Sequence, residues 1–414
     1  MDLPQPIYIG DDALSELARY CTGHQLGQLT LVADQNTYAA LGQAAEEALK
    51  AQGMDVKTIV LTGEEIIADA RYIFRVLVEA ERRARVYLAV GSGTITDIVR
   101  FVSHRSMTSF ISVPTAPSVD GYTSIGAPLV IGGQKITLVT QAPVAVFADL
   151  PTLCRAPQRM IASGFGDMIG KFTSIADWRL GALLWDEPYS EPIARRSWQA
   201  ADNSRQCAEQ IGRADVNGVR CLFEGLIESG LCMMEYGNTQ PASGSEHHMA
   251  HFWEMKLLQE NRPAILHGAK VGVACVMVAG TYDQIKQLSR AEVARRLERT
   301  PMPDRQEEIE RIRAAYGPVA DQVIAGNHAF LDMSPAVYGQ LKERILEHWA
   351  EVQEIAGQVP SAQQVADMLR LAGGPARPEQ LGLGDQEVAS ARRVAHYYRT
   401  RFTAIKLGRM LGIH

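Results

Sequence analysis

The stretch "VYLAVGSGTITDIVR", Val86 to Arg100, decides how the whole chain is read. Its first six residues form an apolar run of strand length, its second half has helical spacing, and Gly91-Ser92-Gly93 joins the two. A strand that feeds a helix through a glycine turn presents backbone N–H groups and the positive end of a helix dipole, where a phosphate can sit. The pattern is GxGT, so it matches neither GxGxxG nor the Walker sequence, and a turn that needs glycine only for its backbone would look the same.

The same alternation continues on both sides. "LTLVAD" (29–34) reads as a buried strand and "TYAALGQAAEEALKAQG" (37–53) as a helix ending at Gly53, where a left-handed cap costs little. "VKTIVL" (56–61) is a further strand, "EEIIADARYIFRVLVEAERR" (64–83) a further helix, and "TSFISVP" (108–114) the strand after the glycine turn. Strand-helix-strand repetition with short joints predicts an α/β region with a parallel sheet. "APLVIGGQKITLV" (127–139) differs, because two apolar runs flank Gly132-Gly133, a pair suited to a hairpin turn. "VAVFADL" (144–150) closes the region. After Pro151 the strand signal ends, and long helical patterns such as "GVRCLFEGLIESGLCMMEYG" and "ERILEHWAEVQEIAGQVP" follow. The expected organisation is a nucleotide-binding α/β domain over 1–150 and an all-helical domain over 151–414. The Arg/Glu-rich stretch Arg290–Arg313 reads as a solvated helix face.

Composition narrows the function classes. With 414 residues the chain is long enough for two cores, and no apolar run reaches the length that spans a bilayer. A formal charge of -6 gives no electrostatic reason to expect nucleic acid or an anionic membrane as partner. The six cysteines form no CxxC pair, which argues against a zinc ribbon, a thioredoxin-type site or a disulfide framework. "MDLPQPIYIG" lacks the basic-then-apolar pattern of a signal peptide, so a cytoplasmic location is expected.

Three further stretches carry chemistry. "PTAPSVDGYTS" (114–124) leaves the strand after the glycine turn; in an open parallel sheet, loops at the carboxyl ends of successive strands converge on one crevice. Asp34 ends the first of these strands, where a carboxylate can accept from an adenosine ribose or cap the next helix. "GSEHHMAHFWEMKLLQENRPAILHGAK" (244–270) holds four of the ten histidines. On a helix, His247 and His251 share a face and His248 points away, while His267 is far enough on to return along the next helix. The protease pattern HExxH would need Glu at 248 and is excluded by His248. In "SGFGDMIGKFTS" (163–174), Asp167 lies at an otherwise apolar, glycine-punctuated helix start, where an unpartnered carboxylate is costly. It reads either as a cap or as a metal ligand.

"GSGT", "PTAPSVDGYTS", "GFGD" and "GSEHHMAH…LHGAKVG", in this order, resemble the sn-glycerol-1-phosphate dehydrogenase family, part of the superfamily of iron-containing alcohol dehydrogenases, glycerol dehydrogenases and dehydroquinate synthases. The resemblance covers roughly residues 5–290 and returns in "YYRTRFTAIKLG" near the end. It implies a Rossmann-like N-terminal domain and an all-helical C-terminal domain, a nicotinamide cofactor, NAD or NADP, and one divalent metal, zinc, nickel or iron, with the active site in the interdomain cleft. It assigns Asp167, His247 and His267 as metal ligands. It assigns Gly91, Ser92, Gly93, Thr94 and Ile95, then Thr115, Ala116, Pro117 and Ser118, with Ser124 and Asp34, as cofactor contacts. Asp120 and His251 would meet the substrate, and His248 is left without a role. The implied reaction interconverts dihydroxyacetone phosphate and sn-glycerol 1-phosphate, a phosphorylated triose being the small-molecule partner, and the implied assembly is a homo-oligomer. No residue is singled out for the substrate phosphate; Lys171 and Lys270 lie near the right motifs, and a helix N-terminus would also serve. The rivals are a dehydrogenase of an unphosphorylated polyol such as glycerol, a cyclase resembling dehydroquinate synthase, whose pattern has Glu where this chain has Asp167, and a non-catalytic protein that retains the fold.

Overall fold

The computed structural model describes residues 3–81, 85–131 and 134–413. Eight strands are present among them: β1 (Ile7–Gly10), β2 (Gln28–Asp34), β3 (Asp55–Leu61), β4 (Val86–Gly91), β5 (Phe110–Pro114), β6 (Gly126–Ile131), β7 (Gln134–Val139) and β8 (Ala145–Asp149). Six of them form one sheet in the order β1-β8-β5-β4-β2-β3, with every pairing parallel. β3 and β4 flank β2 on opposite sides, so the winding reverses at β2, and the crevice beyond the ends of β2 and β4 is the switch point of a doubly wound sheet.

The strands are apolar along their whole length because both faces are covered. Leu29, Leu31 and Ala33 of β2 pack on one side with the helices Ala13–Gly23 and Gln43–Ala51, while Val32 packs on the other with the helices Ala70–Glu79 and Gly93–Arg105. This is the period-2 alternation of a strand, and each buried aliphatic side chain contributes about 1.5–3 kcal/mol. β6 and β7 pair antiparallel as the sequence predicts, and the Gly132-Gly133 turn itself lies outside the described residues. One helix is shorter than expected. Residues 64–68 are not helical; Ala68 and Asp69 run alongside Val130, the Asp69 side chain caps at Tyr72 N, and the helix starts at Ala70. Gly53 takes the left-handed conformation (φ 80°) after the helix that ends at Ala51.

Beyond Asp149 every regular element among the described residues is helical. The chain divides into two compact units: residues 1–165 with 206–237, and residues 166–205 with 238–414. The helix Val216–Tyr236 thus belongs with the sheet, although it follows the last strand in sequence. No helix among the described residues is long and apolar enough to cross a membrane.

Candidate active site

In the sheet unit, the ends of β4 and β5 lie side by side, Gly91 opposite Pro114, and the Thr115 N–H donates to Gly91 O at 3.2 Å. The glycine turn and the loop after β5 therefore leave the sheet together. The helix that follows the turn begins at Gly93, and the side chain of its N-cap, Ser92, makes no capping bond, so that side chain does not compete for the first N–H groups of the helix. Side chains are excluded at both glycines: a Cβ at Gly91 would lie 2.6 Å from the Ile95 side chain and one at Gly93 2.9 Å from Val119. Asp34 is a helix cap, accepting from Thr37 N at 2.8 Å through Oδ1, while the Thr37 hydroxyl accepts from Asp34 N. The capping alternative is thus realised, which leaves Oδ2 for any ribose contact.

Thr115, Ala116, Ser118, Asp120 and Ser124 are all buried. What holds their loop is a residue the sequence reading passed over. Arg100, fully buried on the helix after the glycine turn, donates to the backbone oxygens of Gly121 (2.5 Å), Tyr122 (3.1 Å) and Gly126 (2.9 Å) and pairs with Asp97 at 2.8 Å. From the other side, the Ser229 hydroxyl donates to the Asp120 carboxylate at 2.8 Å and the Thr123 hydroxyl to Ile227 O at 3.1 Å. The Tyr122 hydroxyl donates to Ala116 O at 2.5 Å. An arginine two turns into the helix, on a face otherwise carried by Ile95, Ile98, Val99 and Val102, is the signal that marks this anchor.

In the helical unit, three helices supply the polar cluster: Gln158–Ile169 carries Asp167, Ser245–Gln259 carries His247 and His251, and His267 opens His267–Gln287. Asp167 sits in the last turn of its helix and caps nothing at a helix start, contrary to the capping alternative. The backbones of the first and third helices approach closely because both are bare where they meet: a Cβ on Gly272 would lie 3.2 Å from the Cα of Gly166, and one on Gly166 would collide with Gly268 O. One donor atom from each of Asp167, His247 and His267 lies within 4.8 Å of the others. His247 Nε2 is 3.5 Å from Asp167 Oδ1, and the rings of His247 and His267 are 5.2 Å apart. A carboxylate and two imidazoles converging in this way suit a divalent cation such as zinc, nickel or ferrous iron.

The surroundings keep the Asp167 carboxylate ionised and orient the His247 ring. Burial alone would raise the Asp167 carboxyl, but the ammonium of fully buried Lys171, 3.0 Å away, together with His247 holds it well below the usual carboxylate range. Burial would lower the His247 imidazole, yet Asp167 and Glu246 outweigh it and raise it. Glu246, also unforeseen, is fully buried, meets His247 Nδ1 at 2.7 Å and accepts from Gly244 N and the Thr173 hydroxyl, each at 2.7 Å. That contact leaves Nε2 of His247 for a metal. His251 joins the group, its ring 5.3 Å from His267, with Nδ1 3.2 Å from Glu254 Oε2. His251, Glu254 and His267 also bring one donor atom each within 4.8 Å, but Glu254 is 3.3 Å from Lys270 and this group is less buried. His248 points away into the protein, fully buried, with neither ring nitrogen hydrogen-bonded.

A doubly wound sheet with a phosphate-type turn and a separate Asp/His cluster on helices defines a class, and comparison with known proteins names it. The family model described as iron-containing alcohol dehydrogenase matches residues 8–157. The glycerol-1-phosphate dehydrogenase [NAD(P)+] of Geobacillus thermodenitrificans is 35% identical over 97% of this chain and 91% of that relative. The Bacillus subtilis protein of the same name is 36% identical, covering 97% and 90%. The chain belongs to the glycerol-1-phosphate dehydrogenase family of oxidoreductases. Among solved structures, the fold is similar to glycerol dehydrogenase from Schizosaccharomyces pombe (17% identity, TM-score 0.58, 91% and 93% of the two chains). It is similar also to the iron-containing alcohol dehydrogenase from Corynebacterium glutamicum (14%, TM-score 0.60, 99% and 96%).

Proposed function

We propose that this protein interconverts dihydroxyacetone phosphate and sn-glycerol 1-phosphate with NAD or NADP and one divalent cation, as a cytoplasmic homo-oligomer. The observation that carries the reading is the convergence of Asp167, His247 and His267, in a chain whose relatives bear that activity in their names. When bound, the cation polarises the C2 carbonyl as a Lewis acid and the nicotinamide exchanges a hydride with C2. The chain supplies the rest. Backbone N–H groups from Gly91 to Ile95 receive the cofactor pyrophosphate, Thr115 to Ser118 and Ser124 line its path, and Asp34 accepts from its ribose. Asp120, held by Ser229, orients a substrate hydroxyl. His251, its Nδ1 side fixed by Glu254, moves a proton at Nε2 to the C2 oxygen as negative charge develops there. Asp167, His247 and His267 hold the cation, with Lys171 and Glu246 behind them.

The test is reduction by NADH of dihydroxyacetone phosphate against dihydroxyacetone, with chiral analysis of the product. Turnover of the phosphate ester to the sn-1 product is expected. Equal turnover of the two ketones, or an sn-3 product, would contradict the assignment.

A further inference from the structure

The segment "YYRTRFTAIKLG" (397–408) returns the chain to the histidine helix and brings an unusual charge arrangement with it. Tyr398 lies nearly parallel to the His251 ring, with centroids 5.3 Å apart at 20°. The Arg399 guanidinium stands 5.6 Å from the Tyr398 ring centroid. Arg401 donates to Thr239 Oγ1 at 2.9 Å and to Ser243 O, two residues ahead of the helix that carries His247 and His251. Lys406 fixes the backbone between them, its buried ammonium donating to Arg401 O at 2.5 Å and Arg399 O at 3.5 Å.

Charge matching separates this pair from its neighbours. The two lysines nearest the metal-type cluster are engaged, Lys171 by Asp167 at 3.0 Å and Lys270 by Glu254 at 3.3 Å. Arg344 and Arg409 in the same unit are matched by Asp186 and Glu308 at 2.7 Å each. Among the described residues, no carboxylate comes within 4.0 Å of the guanidinium of Arg399 or Arg401, although both are half-buried. Burial and then the charge of Arg399 bring Arg401 down to about 10, against the pull of the Glu187, Glu246 and Asp177 carboxylates, none of which pairs with it within 4.0 Å. One guanidinium fork beside the ring that stacks on His251, and a second two residues on that is tied to the segment leading into the His251 helix, suit a dianionic phosphate monoester, which takes parallel N–H···O bonds from arginine.

We propose that Arg399 and Arg401 form the subsite for the phosphate group of the triose phosphate, with Tyr398 setting its distance from His251. The inference rests on the reading of the substrate given above and adds to it the residues that select the phosphorylated form. The lysines the sequence suggests for this task, Lys171 and Lys270, serve instead as partners of Asp167 and Glu254.

The experiment compares the zinc-loaded wild-type protein with Arg399→Gln, Arg399→Lys and Arg401→Gln. The readouts are the ratio of kcat/KM for dihydroxyacetone phosphate over dihydroxyacetone, and calorimetric binding of inorganic phosphate. Losing one charge-assisted contact should lower the ratio about 10- to 100-fold in Arg399→Gln, chiefly through KM, and weaken phosphate binding by a similar factor. Arg399→Lys should recover part of both. Arg401→Gln also loses its tie to Ser243, so if it does not fold, Arg399→Gln decides. A wild-type ratio far above one that stays within twofold in Arg399→Gln, with phosphate binding intact, overturns the subsite and leaves the substrate assignment standing. A wild-type ratio near one overturns both. A change confined to KM for NADPH overturns the subsite too, by giving the pair to the cofactor's 2′-phosphate.

Discussion

At the scale of single residues, the site depends on side chains that hold other side chains. His247 presents one nitrogen toward Asp167 because Glu246 occupies the other at 2.7 Å. Removing the charge but not the shape, as in Glu246→Gln, should weaken metal binding about tenfold or more, read by competition with a chromophoric chelator. Unchanged affinity would show that the carboxylate does not orient the ring. The histidine face was legible because a helix puts residues four apart together, and His247, His251 and His267 do meet. Glu246 was not, since a residue one position away on a helix ordinarily faces elsewhere, and only the burial of this segment turns it inward. Asp34 shows the opposite limit. One carboxylate pattern serves a cap and a ribose equally, and here the cap is made.

At the scale of elements, two contacts position the groups that matter. The helices bearing Asp167 and His267 touch backbone to backbone at Gly166 and Gly272. Gly166→Ala would push a methyl into Gly268 O, so it should destabilise the protein by about 1–3 kcal/mol in urea unfolding and, on the proposed metal site, also lower metal affinity, because Asp167 and His267 move apart. The second contact is Arg100 with the loop 114–126. Arg100→Met strands three backbone oxygens and the partly buried Asp97, and should cost about 3 kcal/mol while raising KM for NADH. A stability loss with KM unchanged would mean that the loop keeps its shape without the arginine. Strand and helix identities were readable from apolar periodicity, as in β2, β4 and β5. The helix expected over 64–83 was overdrawn at its start because Ile66 and Ile67 imitate a helical stripe, whereas the Asp69 cap and the pairing near Val130 end the extended chain there.

At the scale of the molecule, the end of the strand signal near residue 150 was plain, but the membership of later helices was not. An amphipathic helix such as Val216–Tyr236 shows that it has an apolar face without showing which core that face joins. Long-range ties close the helical unit. Burial would raise Glu308, but hydrogen bonds from Arg409, 101 residues away, and from Tyr397 hold it below its ordinary 4.5. A depressed carboxyl stabilises the fold above its ordinary value and loses that contribution as pH falls through 4.5 and below. The stability gap between wild type and Glu308→Gln should therefore be widest near neutrality and shrink in acid, followed by urea unfolding at stepped pH; a gap independent of pH would contradict it. The central claim is that Asp167, His247 and His267 hold one divalent cation required for reduction of a phosphorylated triose. Its most direct test is titration of chelator-stripped protein with zinc or nickel while NADH oxidation by dihydroxyacetone phosphate is followed, beside the His267→Ala variant. The account predicts activity rising to a break at one equivalent in the wild type and neither tight binding nor activity in the variant. Full turnover by metal-free protein would contradict it.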